Sequence, residues 1–204
     1  MRQAVSRRKG ESGHSILEFA LLGMPTVLML LGVVVIGIDL GRSVQVTQIC
    51  RDAGAMYVRG LDFSQTGNQQ VLVRLGQSMN LQTTGGDGIV ILSKVTFLPD
   101  TSCGSPPDPN CTVGKNVLMQ RIIFGDTTLP GTHFPTTGAV TQDSLGNVSN
   151  YATDVNAVIN GFATSALQLK PNEISYIAET YFRTPDVSMG GFQTNTGIYS
   201  QAFF

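Results

Sequence analysis

Glu18 is a carboxylate just inside the head of an apolar run, a position that needs a chemical reason. From Phe19 to Ile38 there are twenty residues, of which Thr26 alone is clearly polar. Five residues before Glu18 lies Gly13, at the end of a leader that carries Arg2, Arg7, Arg8 and Lys9. A charge within an apolar span is costly and usually serves a purpose. Near the end of the span that cost falls, so a plain anchor with an incidental carboxylate stays open as a reading.

Other residues could do chemistry but lack the required company. Gly13-His14-Ser15 superficially opens a nucleophile-elbow pattern, yet Leu17 stands where the second glycine belongs. His133 sits in a loop rich in Pro and Gly, with Asp126 and Asp143 at a distance. A lone histidine there reads as a surface residue rather than a general base. There is no phosphate loop, dinucleotide fingerprint or metal motif. The sequence therefore reads as a non-enzyme without cofactors. Net charge is −1 and charged residues make up 13 %, which argues against nucleic-acid binding.

Three cysteines remain. Cys103 and Cys111 bracket Gly-Ser-Pro-Pro-Asp-Pro-Asn, a turn-rich loop. Outside the cytoplasm a disulfide closing that loop is the natural reading, worth roughly 2–3 kcal/mol by loop closure. Free thiols or a metal site are the rivals, but the two histidines, His14 and His133, stand at no ligand spacing. Cys50 reads as a small buried hydrophobe.

The elements that must position these residues begin with the apolar run. At about 1.5 Å per residue it is roughly 30 Å long as a helix, enough to cross a bilayer. It is too long for a cleaved secretory signal, and Asp39-Leu40-Gly41-Arg42 is not a small-x-small cut site. Four basic residues before the span keep the leader cytoplasmic and place residues 40–204 outside the cytoplasm. Beyond the span, Val46, Ile49, Cys50, Ala53, Met56 and Tyr57 recur at helical steps, while Arg42, Gln45, Gln48, Arg51 and Asp52 fall largely off that stripe. One helix from about Ser15 to Arg59 is expected, bent at Pro25 and stopped at Gly60. Gly23, Gly32, Gly37 and Gly41 would permit close helix–helix approach, or simply reflect membrane-helix composition.

Residues 61–204 read as mixed α and β. Val71, Leu72, Leu75 and Met79 suggest a short helix, as do Val155, Val158, Ile159, Phe162 and Ala166. Strands are expected over 89–98, 117–124 and 173–183, with 126–150 an irregular loop. The fold class is thus α+β: a long N-terminal helix, its first half transmembrane, on a small antiparallel sheet with two or three short helices. The divisions are 1–13 leader, 14–39 transmembrane helix, 40–60 helix continuation and 61–204 extracytoplasmic domain.

Gly13-His14-Ser15-Ile16-Leu17-Glu18-Phe19 resembles the class III signal of type IV pilins and pseudopilins. Leu17 to Leu22, Pro25, Gly41-Arg42 and Cys50 to Ala55 resemble, more narrowly, the TadE-like family of the Tad (Flp) pilus machinery. So does Ile174 to Pro185, with its Glu and aromatic pair. The match is good over 10–60, moderate over 171–186 and absent between. The resemblance implies cutting by prepilin peptidase between Gly13 and His14, leaving a chain of 14–204 with a new amine on His14. It implies that Glu18 pairs with such an amine on a neighbouring subunit, setting register. His14 departs from the usual apolar or aromatic first residue, which bears on N-methylation of that terminus. Implied partners are prepilin peptidase, other pilin-like subunits, Tad assembly proteins and the lipid bilayer. A type II secretion pseudopilin and an anchored domain unrelated to pili are the alternative readings.

Overall fold

The computed structural model describes residues 12–99, 112, 114–160, 169–183 and 197–204. Cys103, Cys111, Phe162, Ala166 and the basic leader lie outside the described residues. The chain divides into two units, 1–43 and 44–204.

One α-helix, α1, runs from Ser12 to Val58, close to the limits the periodicity predicts. It continues without interruption through Pro25. Pro25 has no N–H to give the carbonyl one turn back. Beside it the Thr26 hydroxyl donates to the Leu22 carbonyl at 2.6 Å, so the span's polar side chain is satisfied within the helix. The C-terminal stop is a glycine in the left-handed region: Gly60 has φ +86°. Its N–H donates to the Tyr57 carbonyl (3.0 Å), and the Leu61 N–H reaches back to the Met56 carbonyl (3.1 Å). That paired arrangement satisfies carbonyls the helix end would leave bare.

In the second unit, Val46, Ile49, Cys50, Ala53 and Tyr57 of α1 are buried on a sheet of four antiparallel strands. The strands are β1 (Gly88–Phe97), β2 (Asn116–Gly125), β3 (Ile174–Phe182) and β4 (Ile198–Phe203), in the order β2-β1-β3-β4. The first three match the expected runs. The fourth was not expected, because Ile-Tyr-Ser-Gln-Ala-Phe carries neither a strong β run nor a clean alternation.

Both faces of the sheet are covered, so β1 is buried at nearly every position and reads as a continuous apolar run. Val90, Leu92, Ile122, Phe124, Ala178 and Phe182 share one core with the α1 stripe, Phe63, Leu72 and Leu81. On the other face, Ile89 and Ile91 meet Leu129, and Val95, Leu118 and Ile177 meet Phe134, Val148, Ala157 and Ile159. The irregular segment 126–159 therefore contributes the second layer on that face.

Two expectations need correction. Val155–Ala157 is a single 3-10 turn capped by the Asp154 carboxylate, and Val158 is extended. Val158 and Ile159 bridge to Val117 and Thr136, so pairing with β2 overrides the helical spacing. The helix α2 (Thr66–Leu75) exists, but it buries Leu72, while Val71 and Leu75 are exposed and Met79 lies in a separate 3-10 turn.

Candidate functional site

Gly13 and His14 lie in the first turn of α1, and Glu18 follows on the same helix, exposed. From Ile16 to Ser43 no residue is buried. Phe19 is 80 % exposed and Leu21 78 %, an apolar surface all round the helix with a mean hydropathy of 2.5 over its most apolar stretch. In water such a surface would cost roughly 25 cal/mol per Å², so this segment needs a lipid or protein environment. Among the described residues there is thus one helix, near the N-terminus, long and apolar enough to span a membrane, as a single-pass anchor or a signal sequence would. Gly23, Gly32, Gly37 and Gly41 have nothing within 4 Å of where a Cβ would stand.

In the second unit the polar chemistry gathers around Glu179. It lies on β3, an interior strand, 1 % exposed, on the face away from α1. Its carboxylate accepts from the Thr132 hydroxyl, from the His133 backbone N–H (2.8 Å) and from the Tyr199 hydroxyl (2.7 Å). The His133 Nδ1 is 3.8 Å away, beyond hydrogen-bond reach. The imidazole packs edge-on against Tyr199, with ring centroids 4.0 Å apart. Burial and the neighbouring Glu179 carboxylate both push the Tyr199 hydroxyl well above the ordinary tyrosine range.

Arg121 acts on the same loop from β2. Its Nε donates to the Ser93 hydroxyl (3.0 Å) and its Nη2 to the Phe134 carbonyl (2.7 Å). Burial lowers its pKa, with Glu179 opposing. A buried anion and a half-buried cation therefore hold residues 132–134 from two strands, each through a hydrogen bond to backbone.

The two aspartates nearest His133 in the sequence are engaged elsewhere. Asp126 caps its own turn through Thr128 and pairs with Arg183 at 3.5 Å. Asp143 accepts from the N–H groups of Leu145 and Asn147. Neither carboxylate bonds His133, whose neighbour is Glu179. Among the described residues no group of three or more metal-ligating side chains occurs.

Cys50 lies in the α1 core, fully buried, its thiol donating to the Ala178 carbonyl at 3.1 Å. Burial pushes that thiol up to about 11. It is the small hydrophobe the sequence suggests.

Sequence reasoning singled out Glu18 and the segment beside it, and marked Glu179 within a strand. It did not find the partners of Glu179, because Thr132 and His133 lie 47 and 46 residues away in an irregular loop. Comparison with known proteins gives no matching family model, no similar curated protein and no similar solved structure.

Proposed function

We propose that this chain is a minor, pilin-like subunit of a Tad/Flp-type pilus assembly apparatus, anchored by one membrane helix and processed by prepilin peptidase. The observation that carries the reading is the order of parts along one helix. A basic leader ends at Gly13, a carboxylate follows at Glu18, and an apolar span passes unbroken into the core helix of a folded domain.

Each part then has a physical task. The glycine lets the backbone enter the peptidase without a side chain in the way. The leader's positive charge keeps the cut site cytoplasmic and the domain of 61–204 outside. Cleavage leaves an amine on His14 at the membrane surface. Glu18 of one subunit pairs with that amine on its neighbour, and a charge that is costly alone in lipid becomes tolerable when paired. The size of the folded domain suits a capping, priming or regulatory subunit better than the repeating unit of a thin fibre.

Glu18→Ala tests the assembly step apart from the processing step. The expected result is leader removal as in the wild type, with pilus formation reduced at least tenfold in piliated-cell counts. Normal piliation in that variant would remove the register role of Glu18.

A further inference from the structure

We propose that Lys94 anchors a binding pocket for a carboxylate side chain presented by a neighbouring polypeptide. Lys94 lies on the interior strand β1, on the face that meets α1, with Gln120 of β2 and Tyr176 of β3 as its cross-strand partners. The row Gln120–Lys94–Tyr176 is where the buried stripe of α1 runs out, beyond Tyr57. An interior strand facing a core helix ordinarily carries apolar side chains there, as Val90 and Leu92 do on the same face. A lysine in their place needs an anion or water for its charge.

Among the described residues the ammonium of Lys94 has no carboxylate within 4.0 Å and no acceptor for its three N–H donors. Its Nζ lies 5.7 Å from the centroid of the Tyr176 ring, a favourable but weak placement. Nearby groups are already committed. The Tyr57 hydroxyl donates to Gln120 Oε1 (2.8 Å), and Gln120 Nε2 donates to the Leu145 carbonyl (2.9 Å). Asp62, across the pocket, accepts from the Ser64 N–H (2.9 Å) and from Gln65 Nε2 (3.3 Å). The Tyr57 and Tyr176 rings meet edge to face at 5.2 Å and form an aromatic wall.

These residues line a half-open cavity of about 230 Å³. That lies below the range of sites that hold drug-sized ligands and suits a single side chain. The strand register also shifts between Lys94 and Val95, leaving Met119 as an extra residue on β2. Bulges of this kind re-aim side chains beside binding sites. Charge complementarity selects a carboxylate, seated at the Lys94 end away from Asp62, with its methylenes on the tyrosines. This site is independent of the pilus reading, since an anchored domain of any role would carry it.

The test uses the full chain in detergent micelles, with Ile and Leu methyl groups labelled for NMR. N-acetyl-glutamate methylamide is titrated at constant ionic strength, followed at the Ile122 and Leu145 methyls that line the pocket. The expected result is a saturable shift of both. Binding of the glutamine analogue, and of the glutamate analogue to Lys94→Gln, should be at least tenfold weaker, while Lys94→Arg retains binding. The methyl spectrum itself reports whether each variant is folded. Equal binding of the glutamate and glutamine analogues, or no saturable shift, would overturn the site and leave Lys94 a solvated lysine. Binding of free propionate without binding of the blocked glutamate would overturn the polypeptide source.

Discussion

At the scale of single residues, two carboxylates stand in opposite surroundings. Glu18 is exposed on an apolar helix, whereas Glu179 is buried and its carboxylate accepts three hydrogen bonds. Replacing Glu179 by Ala would strand the Thr132 hydroxyl, the His133 N–H and the Tyr199 hydroxyl, and would leave Arg121 without its nearby anion. We expect a loss of about 3 kcal/mol in denaturant unfolding of the full chain, the size seen when one member of a buried charged network is removed. Glu179→Gln keeps the volume and one acceptor and should cost less. Equal stability of wild type and Glu179→Ala would mean that the loop 126–136 does not depend on this clamp. Cys50 supplies a pH signature. Its thiol is raised by burial from 9.0 to about 11 in the fold, so its stabilising contribution is complete below pH 9 and is lost as pH rises toward 11. Between pH 9 and 10 the loss should be on the order of 1 kcal/mol. Tyr57 and Tyr199, also raised, add to it above pH 10. Cys50→Ala should flatten the first part of that decline in thermal melts.

At the scale of elements, what was legible depended on how local the signal is. The stripe Val46, Ile49, Cys50, Ala53 and Tyr57 lies on one helix, and its spacing alone predicts the face that is buried. β1, β2 and β3 are dense in apolar residues, so composition reveals them. β4 is short and half polar, and its strand character comes from pairing with β3 through Tyr181↔Tyr199 and Ile177↔Phe203, which no local pattern encodes. Val155, Val158 and Ile159 mislead for the opposite reason. Their spacing fits a helix, but Val158 finds a bridge partner on β2 and Ile159 joins the second core, so tertiary pairing wins. Lys94 was invisible as a site residue because its meaning lies in what surrounds it. The end of α1 carries its own prediction. Gly60 has φ +86° with open space around the missing Cβ, so a side chain there meets backbone strain without a clash. Gly60→Ala should therefore cost about 1–2 kcal/mol in equilibrium unfolding. An unchanged midpoint would show that the turn relaxes without the left-handed residue.

At the scale of the whole molecule, the account rests on one helix having two solvents. Residues 19–38 are unburied and almost wholly apolar, while part of 44–58 is buried on the sheet, and both stretches belong to one helix. An amphipathic stripe suits the second stretch and an all-round apolar surface suits the first, which is the change expected where a helix leaves lipid for a folded domain. The central proposal is that a cut after Gly13 removes the leader and leaves His14 as the new terminus. The most direct measurement is the N-terminal residue of the membrane-extracted protein, by intact mass and terminal peptide sequencing, from cells that contain prepilin peptidase. The account predicts a terminus at His14, with or without a methyl group. An intact Met1 would contradict it in favour of a plain signal anchor, and a terminus beyond Asp39 would contradict the membrane anchor itself.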